Sequence, residues 1–159
     1  MKIGVLSDTH LTRATPEFKR LLKTHFTDVD LILHAGDMVD LPVYEFLQSL
    51  AVEAVQGNMD SGNLKAILPI KKIFTFDDFK IGLIHGWGPA GGLEDRLRPE
   101  FAGINCLVYG HSHKPANYWS DGVLFFNPGS ASRIGFFRKP TIGFIHIDDS
   151  GLKGEILEI

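Results

Sequence analysis

The sequence predicts an α/β protein made of two packed β-sheets with helices outside. Three observations predict it. Over the first sixty residues, short apolar runs alternate with segments of helical period, reading β-α-β-α-β. That order implies a parallel sheet with right-handed crossovers. The second half carries hairpin signals, with Asp77-Asp78, Asp121-Gly122 and Ser150-Gly151 each set between two strand-like runs. Several apolar runs also stop at a polar segment that contains glycine, as strands of an open α/β sheet do where they meet a ligand crevice.

Each element follows from local pattern. Residues 2–7 (KIGVLS) form a short apolar run and read as a buried strand. Phe18, Leu21, Leu22 and Phe26 recur at helical spacing, with Lys19, Arg20 and Lys23 between them and Pro16 suited to the first turn. Residues 30–35 (DLILHA) read as a strand that ends at Gly36. Residues 41–50 read as a helix, with Asp40 as N-cap and Pro42 in its first turn. Residues 52–56 give a third strand, ending at Gly57. Residues 70–76 and 80–85 read as two strands around Asp77-Asp78, residues 93–101 as a helix, and residues 105–109 as a short buried strand. Residues 118–120 and 123–126 flank Asp121-Gly122, and residues 141–147 and 152–157 flank Ser150-Gly151.

Composition narrows the function classes. With 159 residues, the chain is read as one domain over 1–159. Its 44% hydrophobic and 22% charged residues are ordinary for a folded soluble protein. The single cysteine, Cys106, excludes an internal disulfide framework and a Cys-rich zinc module, and it reads as a buried inert thiol. A net charge of −3 offers no basic footprint, so long nucleic acid is not an expected partner. No apolar run approaches membrane-spanning length and no signal-peptide pattern opens the chain, so the expectation is a cytoplasmic protein without a membrane partner. Two counts stand out: 17 glycines and 7 histidines.

Their positions carry the chemistry. The strands ending at Ser7, Ala35, Gln56 and Tyr109 run into Asp8-Thr9-His10, Gly36-Asp37, Gly57-Asn58-Met59-Asp60 and Gly110-His111-Ser112-His113. A further strand ends at His85-Gly86. These five ends are expected to line one crevice. Asp8 and His10, like His111 and His113, are two apart, and in extended backbone such pairs point the same way. The ends together offer two carboxylates, one amide oxygen and four imidazoles. That is too many donors for one tetrahedral ion and fits two ions sharing a carboxylate. Mixed N/O ligation without thiolate suits Mn, Fe, Co, Ni or Zn.

In order along the chain, Asp8-x-His10, Gly36-Asp37, Gly57-Asn58-x-Asp60, His85-Gly86, Gly110-His111-x-His113 and Asn127-Pro128-Gly129-Ser130 resemble the calcineurin-like metallophosphoesterases, most nearly the small single-domain bacterial and archaeal phosphodiesterases. The resemblance implies the metallophosphatase fold, a four-layer α/β/β/α sandwich of two mixed β-sheets flanked by helices. It implies that Asp8, His10, Asp37 and His113 hold a first divalent metal ion, that Asp37 bridges, and that Asn58, His85 and His111 complete a second. It implies two transition-metal ions, manganese first among them, and hydrolysis of small phosphodiesters by a metal-bridging hydroxide. Asp37, Asn58 and His111 are then the catalytic set, with Asn58 and Arg133 as substrate contacts. Asp60, Asn127 and Ser130 support the ligands from behind.

Two departures stand out. Many members carry a histidine after the Gly-Asn pair, placed to protonate the leaving group; Met59 stands there and a thioether donates no proton. Asp60 is therefore expected to orient a neighbouring loop or Asn58. Leu11-Thr12 also replaces the Gly-Asn that many relatives carry after His10.

The same residues have plainer readings. Singly, Asp8 and Asp37 are ordinary turn residues, Asn127-Pro128-Gly129-Ser130 an ordinary turn, and Arg13 and Arg133 surface arginines. The ordered set, not any one motif, carries the metal reading. His34 reads as a satisfied buried histidine, His25 as a solvated helix-end residue and His146 as a strand residue outside the site. Trp87, Trp119, Phe125, Phe126, Phe136 and Phe137 read mainly as packing, with some left for a substrate rim or a contact in a homo-oligomer. Residues 86–92, with four glycines, are expected to form a flexible rim. The resembled family also includes a eukaryotic retromer subunit that acts as a scaffold, and it includes nucleases; these are the alternatives to a phosphodiesterase.

Overall fold

A computed structural model describes residues 1–132 and 139–159. Arg133, Phe136 and Phe137 therefore lie outside the described residues. The elements in order are β1 (Lys2–Leu6), α1 (Pro16–His25), β2 (Leu31–His34), α2 (Leu41–Leu47), β3 (Val52–Ala54), α3 (Gly62–Ile67), β4 (Lys71–Phe76), β5 (Phe79–Ile84) and α4 (Leu93–Leu97). A 3-10 turn follows α4 over Arg98–Glu100, then come β6 (Cys106–Val108), β7 (Ala116–Ser120), β8 (Val123–Asn127), β9 (Thr141–Asp148) and β10 (Gly151–Glu158).

These form two five-stranded sheets, ordered β10-β9-β1-β2-β3 and β4-β5-β6-β8-β7. The β-α-β-α-β start does give parallel pairing of β1 with β2 and of β2 with β3. The late hairpin β9–β10 then joins the same sheet, with β9 antiparallel to β1. In the other sheet β5, β6 and β8 run parallel, while β4 and β7 close the edges antiparallel. Both sheets are thus mixed.

Burial shows four layers. Ile3, Val5, Leu33, Cys106, Val108, Phe126 and Ile145 meet between the sheets. Phe18, Leu22, Val43, Leu47 and Leu64 cover the outer face of the first sheet from α1, α2 and α3. Leu93 and Leu97 of α4 cover the outer face of the second against Ile84, Leu107 and Phe125. Alternation decides which residue goes where: in β8, Leu124 and Phe126 point inward while Val123 and Phe125 point out. Both faces being covered, the strands read as near-continuous apolar runs. Phe126 keys the two sheets together. Its ring lies against Gly143 of β9 and Gly154 of β10, where a Cβ would stand 2.5 and 2.6 Å from ring carbons.

Local signals explain the helix starts. Thr15 caps α1 by accepting from Phe18 N–H at 3.2 Å, with Pro16 following. Asp40 caps α2, accepting from Leu41 N–H at 2.8 Å. Two helices are shorter than the sequence predicts: α2 stops at Leu47, and the segment from Leu93 tightens into the 3-10 turn at Arg98, next to Pro99. Helix α3 escapes sequence reading altogether, because its Gly62-Asn63 start reads as a turn; Ser61 caps it, accepting from Leu64 N–H at 3.5 Å. The Asp121-Gly122 turn has both residues at positive φ, as a two-residue hairpin requires. Among the described residues no helix is long and apolar enough to cross a membrane.

Candidate metal centre

The carboxyl ends of β1, β2, β3, β5 and β6 deliver Asp8, Asp37, Asn58, His85 and His111 to one place, and His10 and His113 join them from the adjoining loops. The seven are graded by depth. Asp8, Asp37 and His85 are buried, His10, His111 and His113 half-buried, and Asn58 exposed. Floor and rim are therefore different residues.

The backbone reaches this arrangement in an unexpected way. Sequence spacing predicts that Asp8/His10 and His111/His113 converge through extended backbone. Instead all four residues are left-handed, with φ of 51°, 48°, 66° and 54°, and Asp37 has φ 57°. Non-glycine residues adopt this region at a cost, and such strain gathers where surrounding structure fixes a site. The pairing also differs. Asp8 and His10 do converge, their Oδ1 and Nε2 standing 3.8 Å apart, but His113 turns toward Asp8 while His111 turns toward Asn58. Space is reserved for these turns: a Cβ on Gly110 would collide with Ser7 Oγ, and one on Gly57 with Asp37.

Each carboxylate has one oxygen fixed and one left facing imidazoles. Asp8 Oδ2 accepts from Ser7 Oγ–H at 2.5 Å and from His111 N–H at 3.1 Å. Asp8 Oδ1 is, among the described residues, the buried side-chain atom without a hydrogen-bond partner. It faces His113 Nε2 at 3.1 Å and His10 Nε2 at 3.8 Å, and those two nitrogens are 3.2 Å apart. Asp37 Oδ1 accepts from Met59 N–H at 2.7 Å. Asp37 Oδ2 then lies 3.8 Å from His10 Nε2 on one side and 3.3 Å from His85 Nε2 on the other.

Two backbone carbonyls set the imidazoles. His85 Nδ1–H donates to Ala35 O and His111 Nε2–H to Gly88 O, each at 2.7 Å. In the neutral rings this leaves the lone pairs of His85 Nε2 and His111 Nδ1 pointing at Asn58 Oδ1, at 3.0 and 2.8 Å. Acceptors therefore crowd together with no proton between them, a condition that a cation relieves. Distances group the deeper donors as Asp8, His10 and His113, and as Asp8, Asp37 and His85. This donor set fits divalent ions of the N/O-binding class.

Electrostatics agree with that fit. Burial works against the Asp8 charge, but the His10 and His113 rings, the field of His85 and the Ser7 hydroxyl hold its carboxyl well below the usual range. Burial likewise opposes the Asp37 charge, and His85 together with the Met59 N–H holds it low. Burial would lower the His85 pKa, yet Asp37 and Asp8 raise it above the ordinary value. The centre attracts positive charge.

The residues around these seven hold loops. Asp60 accepts from Val39 N–H through Oδ1 and from Gly57 N–H through Oδ2, each at 2.7 Å. It thereby orients the loops after β2 and β3, the first of the two roles expected for it. Asn127 Nδ2 donates to Gly110 O at 2.9 Å and to Ser112 Oγ at 3.1 Å, and Ser130 Oγ donates to Asp8 O at 2.8 Å. His34 is fully buried beneath the centre, 3.2 Å from Thr9 Oγ1. His146 lies in β9 facing Glu155, away from the ligands. His25 is half-buried in the last turn of α1, and Arg13 is exposed. Burial pushes the Cys106 thiol pKa up, so it stays protonated. In residues 86–92, expected to form a flexible rim, three carbonyls accept from Arg96, those of Trp87, Pro89 and Gly91. Sequence reading missed Ser7, Ala35 O and Gly88 O. Two of these are backbone groups, which no residue identity advertises.

A family model described as the calcineurin-like phosphoesterase superfamily domain matches residues 1–150. The chain belongs to that superfamily. A probable metallophosphoesterase of Methanothermobacter thermautotrophicus is 36% identical over 160 residues, spanning 99% of this chain and 92% of the relative. Among solved structures, a chain described as a novel archaeal phosphodiesterase superposes with a TM-score of 0.76 at 25% identity, covering 99% of this chain and 100% of that one. Wild-type Vps29 from Entamoeba histolytica, complexed with Zn²⁺, superposes with a TM-score of 0.73 at 26% identity, covering 99% of each chain. Superfamily membership thus joins a phosphoesterase fold to a donor set suited to metal.

Proposed function

We propose that this superfamily member is a dinuclear-metal-dependent phosphodiesterase acting on small phosphodiesters. The carrying observation is the disposition of Asp37: one oxygen is tied to the Met59 N–H, and the other stands between His10 and His85. Asp8, His10 and His113 would hold one ion, Asn58, His85 and His111 the other, and Asp37 would reach both. Manganese is the first choice, with Ni, Fe, Co or Zn open to the same donors. The likeness to a Zn²⁺-bound Vps29 supports metal uptake, and the likeness to an archaeal phosphodiesterase supports the reaction class. When bound, such ions would acidify a water toward neutral pH and offset the charge that develops on the ester oxygens.

The chain's own groups do the rest. Asp37, Asn58 and His111 form the catalytic set, and exposed Asn58 is the ligand placed to meet substrate oxygen as well. Ala35 O and Gly88 O keep the imidazole lone pairs aimed inward. At residue 59 the side chain supplies no proton for a departing alkoxide, and general acid help is typically worth about 10²–10⁴ in rate. Esters with good leaving groups are therefore favoured. Arg133, named as a substrate contact from sequence, lies outside the described residues.

Chelator-treated protein given Mn²⁺ should take up two ions, measured by elemental analysis, and should hydrolyse an aryl diester faster than an aryl monoester. Asp37→Ala should lose both ions and the activity together. Protein that takes up no ion overturns the metal reading. A much faster monoester reaction overturns the diester assignment. Metal uptake with no turnover of either ester would favour the scaffold alternative.

A further inference from the structure

Helix α4 carries two side chains that reach back to the loops of the metal centre. Glu94 Oε1 accepts from Tyr109 Oη–H at 2.6 Å, two residues before His111. Arg96 reaches the loop after β5. Its Nε donates to Trp87 O at 3.3 Å, its Nη1 to Gly91 O at 2.9 Å, and its Nη2 to Pro89 O. Between the clamped Trp87 and Pro89 carbonyls, the Gly88 carbonyl is instead given to His111 Nε2, at 2.7 Å. The guanidinium lies against Gly88 itself: a Cβ there would be 3.5 Å from Arg96 Nε. Gly88 also has φ +78°, a conformation that glycine adopts freely.

The loop has little else to fix it. Residues 86–92 contain four glycines and form no strand or helix of their own. Three carbonyls bound by one rigid, permanently charged fork replace that missing order. What depends on the order is a proton. A neutral imidazole has two tautomers, and the group bound to one nitrogen decides which lone pair the other offers. Here the Gly88 carbonyl selects Nε2–H and leaves Nδ1 toward Asn58 Oδ1, 2.8 Å away.

We propose that Arg96 is a positioning residue: by clamping residues 87–91 it places the Gly88 carbonyl, which holds His111 as the Nε2–H tautomer with Nδ1 free for the second metal ion. This rests on the metal-centre reading above. It assigns to a side chain outside the ligand set the control of the second ion above all, because the carbonyl of the clamped loop is bonded to the ring of His111, a ligand of that ion.

Two readouts test it on the full chain. In metal-free protein in mildly alkaline buffer, imidazole ¹⁵N spectra should show His111 as Nε2–H in the wild type and as a tautomer mixture in Arg96→Ala. In Mn²⁺ titrations, Arg96→Ala should keep the tighter equivalent and weaken the second about 10–100-fold, the usual effect of removing support behind a metal ligand. Arg96→Lys, which can replace only part of the fork, should fall between. An amide spectrum with wild-type dispersion shows that each variant is folded. Unchanged tautomer and unchanged affinity for both ions in Arg96→Ala overturn the proposal and leave the metal reading standing. Equal weakening of both ions also overturns it, since the effect would then be general. Wild-type protein that binds no second ion overturns the metal reading instead, and the tautomer comparison then decides by itself whether Arg96 sets His111.

Discussion

His34 is the most deeply placed histidine of the seven and lies one layer beneath the candidate ligands. It is fully buried, takes the Gly36 N–H on Nδ1 at 3.2 Å and faces the Thr9 hydroxyl with Nε2. Burial drives its pKa down from 6.5 to about 3; Asp8 and Asp37 pull it up, and His85 and His10 push it down. The ring is therefore neutral in the fold and takes a proton only on unfolding. Below pH 6.5 the unfolded chain binds the extra proton, so stability falls as pH drops from 6.5 toward 3. The slope from this residue is at most about 1.4 kcal/mol per pH unit. Urea unfolding of metal-free protein across that window should show His34→Gln with a shallower loss than wild type. Parallel curves for the two proteins would refute the assignment.

Loops between elements do the positioning that strands cannot. Asp60 ties the loops after β2 and β3 through two backbone N–H groups, those of Val39, two residues after Asp37, and of Gly57, next to Asn58. Removing its side chain takes away both of these ties and none of the candidate ligands. Asp60→Ala should therefore lower metal affinity about 10–100-fold, read by competition with a chelating dye, with little change in the helices seen by circular dichroism. Wild-type affinity in that variant would show that Asp60 does not support the centre. The loop at 86–92 makes the same point in reverse. Its glycines suggest freedom, but the side chain that binds three of its carbonyls stands on α4, at Arg96.

At the scale of the whole molecule the site depends on two sheets keeping one alignment. Asp8, Asp37 and Asn58 come from the first sheet, and His85 and His111 from the second. Phe126, fully buried and seated against Gly143 and Gly154, is a principal key between them. Phe126→Ala should cost about 3–5 kcal/mol of stability, measured by urea unfolding. A cost under about 1 kcal/mol would mean that the sheets are aligned by other contacts.

The sequence by itself determined the strands, their polar ends and the donor inventory. Each of these is written locally: an apolar run of strand length, a glycine or aspartate that stops it, an imidazole or carboxylate beside the stop. It also carried the two-sheet architecture, because β-α-β alternation and hairpin turns such as Asp121-Gly122 are short-range signals. Helix α3 was not legible, since Gly62-Asn63 has turn chemistry; the Ser61 cap and the packing of Leu64 support the helix. The pairing of β9 with β1 joins residues at opposite ends of the chain, such as Lys2 with His146, and no local pattern announces it. Only the tertiary structure decided how the donors face one another. Left-handed backbone at Asp8, His10, Asp37, His111 and His113 sends them where extended spacing would not. Ala35 O and Gly88 O choose which imidazole nitrogens keep their lone pairs. The physical reason is the same in both cases: a backbone dihedral and a carbonyl direction are set by the whole fold around them, and every residue type carries the same carbonyl.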